Sequence, residues 1–125
     1  MGWRAKSDEV AELEVKAEAG DISARRRLGI AYAEGKGVPK DPVEAVRHYL
    51  IADEGGDMSA NFMLATAYAL GEGVDKDLAE AARRYKIAAT AGDEDAELPL
   101  RIVEDQLKQN PGKQPHRYND DEASI

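Results

Sequence analysis

Small and apolar residues return along this chain at helical spacing. Ala24, Leu28, Ala31 and Tyr32 fall at offsets of four, seven and eight, one face of a helix at 3.6 residues per turn. They predict a helix from about Asp21 to Glu34, stopped by Gly35 and Gly37, because glycine supplies the left-handed turn that ends a helix cheaply. A second stripe follows at Ala45, Tyr49 and Ala52. Asp41 is its N-cap, Pro42 takes the first helical position and Glu44 completes a capping box three residues after the cap. Losing such a cap costs about 0.5–2 kcal/mol.

The same pattern then runs again. Leu28 and Leu64 are 36 residues apart, and so are Tyr32 and Tyr68, Gly35 and Gly71, Gly37 and Gly73, Val38 and Val74, Asp41 and Asp77, Ala45 and Ala81, Tyr49 and Tyr85, Ala52 and Ala88. Residues 24–59 and 60–95 agree at 18 of 36 positions without a gap, which makes the repeat the organising feature of the chain. Gly-Asp pairs at 20–21, 56–57 and 92–93 mark its joints. The expected organisation is a single solenoid over 1–109. It has a capping helix at 7–20 (Val10, Leu13, Ala17), repeats at 21–56 and 57–92, and a last capping helix at 93–109 (Ala96, Leu100, Val103). Pro99 predicts a kink or restart near Leu98, since an interior proline removes a hydrogen bond and clashes one turn back. The polar, proline-broken tail 110–125 has no periodicity and is expected to be extended or disordered.

Composition narrows the class. The chain has 125 residues, 42% hydrophobic but only 6% aromatic, so a core must come mainly from Ala, Leu and Val at close approach. The fold class expected is all-α: about six helices as antiparallel pairs in a right-handed helical-repeat solenoid, where stacking neighbours bury one another. Cysteine is absent, which removes disulfides, zinc thiolate sites, iron–sulfur clusters and a thiol nucleophile. No apolar run of 18 residues and no secretory pattern at the start are found, so the expected location is the cytoplasm. A net charge of −8 argues against nucleic acid or an anionic membrane as the main partner. Residues 93–109 carry −4 of it, either a solvated helix face or an edge that steers a basic partner.

Ala24, Leu28, Gly29, Tyr32, Gly35, Gly37, Val38, Asp41, Ala45, Tyr49, Ala52 and Gly56 together resemble one Sel-1-like repeat. Ala60, Leu64, Tyr68, Gly71, Gly73, Val74, Asp77, Ala81, Tyr85, Ala88, Ala89 and Gly92 resemble a second. The family is a branch of the tetratricopeptide-like solenoids. Departures are Ala65 at the place of Gly29, and Asp53 where a second Ala is usual. The resemblance implies a protein- or peptide-binding adapter or scaffold rather than an enzyme. It also implies that the first helix of each pair lines a concave face, with Arg26, Ile30 and Glu34, then Phe62, Thr66 and Leu70, then Leu98 and Ile102 at its inner register. Phe62 and Ile30 have an equally simple reading as fillers between adjacent helices, and Arg25, Arg26 and Arg27 as a solvated first turn. Three cations there oppose the helix macrodipole, a mild cost that hints at use.

Two other roles fit the same residues. One is a cytoplasmic immunity or inhibitor protein, whose acidity would steer it onto a basic site. The other is an enzyme of envelope metabolism like the β-lactam-handling relatives, which are disulfide-stapled, unlike this chain. Pairing of copies through the terminal helices would cover bare ends. No cofactor or metal is expected. His48 has Arg84 at its place in the next repeat, His116 lies in the tail, and no phosphate loop, nucleophile elbow or calcium loop occurs.

Overall fold

The computed structural model describes residues 6–109; the expected disordered tail, with His116, lies outside the described residues. Those residues form six α-helices and one 3-10 turn: α1 (Asp8–Glu18), α2 (Ile22–Glu34), α3 (Pro42–Glu54), α4 (Met58–Leu70), α5 (Leu78–Thr90), the 3-10 turn (Glu94–Ala96) and α6 (Glu97–Gln109). No strand occurs among them. The all-α class follows, with helices where the stripes put them. Two compact units divide at Leu64 and Ala65, inside α4.

The joints are built twice from the same parts. The Asp41 carboxylate accepts from the Glu44 N–H at 3.1 Å, and Asp77 from Glu80 at 3.0 Å. The backbone N–H of Asp41 also donates to Tyr32 O at 2.8 Å, and that of Asp77 to Tyr68 O at 2.9 Å. Each cap therefore ties the start of one helix to the end of the previous one. Gly35 and Gly71 both sit at φ 72°, where a side chain is strained, so the turn needs glycine at that place. The Gly-Asp joints work alike. Asp21, Asp57 and Asp93 each donate their N–H to a carbonyl five residues back at 3.0 Å, closing one helix, and each carboxylate caps the next.

In the first unit α2 packs on α1 and α3, around a core of Val10, Ala17, Ala24, Leu28, Ala31 and Val38 with Leu13 and Tyr32 against it. Alanines at these contacts bring backbones close. One close approach is at Gly29, where a Cβ would stand 2.5 Å from Tyr49 Cε1 and 3.2 Å from Ala45 O. In the second unit α5 packs on α6 and on the 3-10 turn, with Ala81, Tyr85, Ala88, Ala96 and Val103 buried. The Tyr85 hydroxyl lies 2.8 Å from Thr66 Oγ1 of α4. Ala65 carries the methyl that Gly29 lacks, so Tyr85 cannot lie as tightly against its neighbour as Tyr49 does.

The restart expected near Leu98 occurs just before it. Asp93 caps the 3-10 turn, and α6 begins at Glu97. Pro99 then falls in the first turn of α6, where its missing N–H would have had no intrahelical partner. The 3-10 turn runs directly into α6, so the change of helix type comes ahead of the proline.

Gly29→Ala is expected to destabilise by about 1–3 kcal/mol, because the ring of Tyr49 must give way in a packed core. Urea denaturation followed by circular dichroism measures it; an unchanged midpoint would mean that the ring moves freely.

Candidate functional site

The inner-register residues divide between the two units. In the first unit Ile30 is half-buried, Glu34 is exposed and pairs with Lys36 at 3.3 Å, and Phe62 is half-buried. In the second, Thr66 is half-buried and spent on the Tyr85 hydroxyl, while Leu70, Leu98 and Ile102 are 60%, 59% and 48% exposed. Phe62, Thr66 and Leu70 follow one another at four-residue steps along α4. Leu98 and Ile102 do so along α6.

The arginine run at the start of α2 is largely used inside the first unit. Arg26 Nε donates to Asp57 Oδ2 at 2.8 Å, and Asp57 Oδ1 accepts from the Ala60 N–H at 3.0 Å. One carboxylate thus caps α4 and holds α2. Arg25 turns the other way: its guanidinium donates to Ala17 O of α1 at 3.3 Å and stands 3.3 Å from His48 Nδ1. Arg27 is exposed. The stability cost of three cations at a helix start is offset for two of them by these contacts.

His48 was singled out only by its mismatch with Arg84, yet it sits at the most structured polar site described in the first unit. It is 3% exposed and stacked on Tyr32, with ring centroids 5.5 Å apart. Its Nε2 is 3.4 Å from Glu44 Oε2 and 3.4 Å from an Arg47 nitrogen. A neutral ring has one accepting nitrogen, so it accepts from Arg25 at Nδ1 with Nε2–H towards Glu44, or from Arg47 at Nε2, and not from both arginines at once. Burial, then the Arg47 guanidinium, hold the imidazole below its ordinary pKa. Glu44 in turn is held below the usual carboxylate range, chiefly by its hydrogen bonds from Arg47. The nearby Tyr49 phenol is pushed up to about 12 by burial, with Glu34 adding to it, and stays neutral at physiological pH.

Around this cluster α1, α2 and α3 border a half-open polar cavity of about 200 Å³, lined by Lys6, Glu14, Glu18, Arg25, Leu28, Tyr32 and the Glu44–Arg47–His48 group. The second unit treats the same register differently. Arg84 takes the place of His48, donates to Glu80 at 2.8 Å and lies over the Tyr68 ring, 5.7 Å from its centre. No group of three or more His, Cys, Asp or Glu placed to hold a metal is found among the described residues, and no described helix is long and apolar enough to cross a membrane.

A family model for the Sel1 repeat matches residues 22–57 and 59–93. Solved structures agree. A protective antigen of uropathogenic Escherichia coli with an SLR fold matches at TM-score 0.72 and 35% identity over 75% of this chain, which spans 20% of that one. A Sel1 repeat protein from Oxalobacter formigenes matches at 0.68 and 38% identity over 72% of this chain and 68% of its own. Cysteine-rich protein B of Helicobacter pylori matches at 0.64 and 30% identity over 70% and 65% respectively. It is named for a residue this chain does not contain. No curated protein matches the chain.

Two outcomes check the site. Asp57→Ala removes the α4 cap and leaves Arg26 without its partner, so a loss of about 1–3 kcal/mol is expected in urea denaturation. His48 gives a pH signature. Its folded pKa is depressed, so the unfolded chain binds the proton more readily. The stability it supports is complete above about pH 6.5 and is lost as pH falls below that towards the folded value. The denaturation midpoint should drop from about pH 7.5 to 5.5 more steeply in the parent than in His48→Gln; parallel curves would show that another group titrates.

Proposed function

Because the chain belongs to the Sel1-repeat family, whose members are typically protein-interaction scaffolds, we propose that it is a non-catalytic adapter that binds a protein or peptide at the inner register of its first-type helices. The residues assigned to that surface are Arg26, Ile30, Glu34, Phe62, Thr66, Leu70 and Ile102, with Leu98 beside Ile102. Arg26 has its head group on Asp57, so its part is to shape the surface and offer its remaining N–H groups.

One observation carries the reading. Along α6 the positions that in earlier repeats serve helix stacking have become charged: Arg101 stands where Gly29 and Ala65 stand, and Glu104 where Tyr32 and Tyr68 stand. The inner-register positions of the same helix are apolar and exposed, at Leu98 and Ile102. A helix that only closed a stack would have no reason to keep large apolar groups in water there. Exposed apolar side chains at regular helical steps suit an amphipathic or extended segment laid across them. The cytoplasmic setting and the alternative of an inhibitor of one enzyme or toxin depend on what that segment belongs to.

The test is affinity capture from source lysate with the parent, the double variant Leu70→Ser with Ile102→Ser, and Val15→Ser as a control on α1. All three changed residues are exposed, so stability should stay within about 0.5 kcal/mol. A partner kept by the parent and by Val15→Ser, and lost at least about tenfold by the double variant, is expected. Equal capture by all three would move binding off this register. Concentration-dependent dimers in light scattering, dissolved by the double variant, would make the occupant a second copy.

A further inference from the structure

The cavity of the first unit has a charge arrangement that its own residues leave incomplete. Four of its six charged side chains are matched. Lys6 Nζ meets Glu14 Oε2 at 2.7 Å, and an Arg47 nitrogen meets Glu44 Oε2 at 2.6 Å. The other two are Arg25 and Glu18. Arg25 spends its described hydrogen bonds on neutral acceptors, the Ala17 carbonyl and the His48 ring, and no described carboxylate lies within 4.0 Å of it. Glu18 has no described cation within that distance. One positive and one negative group thus face the same space and are too far apart to pair with each other.

At the cavity the two repeats differ in sequence. Where the second unit fills the register of His48 with Arg84, closing on Glu80 and Tyr68, the first unit has the shorter imidazole. Arg25 reaches in from the side that His48 leaves open. About 200 Å³ takes a molecule the size of one amino acid and not a folded segment. Its walls are polar, with the Tyr32 and His48 rings stacked along one side. Guanidinium binds carboxylate in a planar fork, and a carboxylate is the natural acceptor for an ammonium group.

We propose that this cavity binds a free α-amino acid as its zwitterion, carboxylate on Arg25 and ammonium on Glu18. The ligand completes both pairs at once, and neither end of a peptide does so, because each terminal residue has only one of the two charges. Small uncharged side chains suit the space. The site stands apart from the inner register and does not depend on the adapter reading.

The experiment follows the His48 ring signals by NMR in the whole chain while glycine or serine is added, with N-acetylglycine and glycinamide as the half-charged counterparts. Saturable shifts are expected with the free amino acids. Each half-charged analogue should bind at least about tenfold more weakly, as should Arg25→Gln and Glu18→Gln, since one charged pair is worth about that factor. Glu18 is exposed, so Glu18→Gln stays folded even if Arg25→Gln loosens the packing around His48. No shift at about 50 mM, well above the millimolar range of weak ligands, would overturn the proposal. So would N-acetylglycine or glycinamide binding as well as glycine, which would reduce the site to a single-charge one for a chain terminus. Unchanged binding by Glu18→Gln would do the same.

Discussion

Close approach of helices through small side chains is the constraint on which the rest depends. With few aromatics and no disulfide, burial must come from alanine-lined contacts, and an alanine buries little unless the backbones nearly touch. Ala24, Ala45, Ala52, Ala60, Ala81, Ala88 and Ala96 are all essentially inaccessible, and Leu28 and Leu64 are the largest side chains wholly inside. Such packing works only if each helix arrives at a fixed angle and depth. That is the task of the joints, where a glycine at positive φ ends one helix and an aspartate caps the next. A looser joint would cost more than its own hydrogen bond, because it would separate surfaces that have no large side chain to fill the gap.

Joints and stripes were legible from residues alone, because both are local. A cap, a glycine turn and a 3.6-residue stripe each depend on neighbours within a few positions, and the 36-residue repeat states every rule twice. Pro99 shows the limit. Its clash with the preceding turn is a local rule, but whether the helix bends or starts afresh depends on Asp93 offering a cap, and the 3-10 turn is the result. The partners of the arginine run were not legible. Arg26 meets Asp57 across 31 residues and Arg25 meets His48 across 23, and no pattern in sequence marks which charges will converge.

The two repeats can be read as controls for each other. Where they agree, the residues hold the fold: Asp41 with Asp77, Tyr49 with Tyr85, Glu44 with Glu80. Where they differ, packing is released for other use. His48 lines a polar cavity, and Arg84 at its place in the second repeat makes a cation–aromatic contact with Tyr68. Gly29 lets Tyr49 lie where a methyl would clash, whereas Ala65 carries that methyl and Tyr85 has a hydroxyl partner in Thr66. The one hint in the sequence is a histidine that breaks the repeat, with Arg84 at its place in the next. It is structural in part, stacked and hydrogen-bonded, and it also lines the cavity.

The same logic separates two kinds of exposed surface. A charge whose partner lies within its own unit, such as Arg26 on Asp57 or Arg47 on Glu44, has little left to offer a ligand, since breaking the pair costs roughly what a new pair would return. In the proposed readings, recognition falls to charges with no opposite charge beside them and to apolar groups left in water. In the first unit Glu18 and Arg25 are such charges, although Arg25 also donates to Ala17 O and the His48 ring. In the second the apolar groups are Leu70, Leu98 and Ile102, which stay in water although the helices that carry them bury their other faces. The proposed cavity site and the proposed docking surface share no side chain, so either can fail without the other. A protein whose repeats agree at half their positions can gain distinct functions by this route: the shared joints fix the helix ends, and the departures decide what each unit can hold.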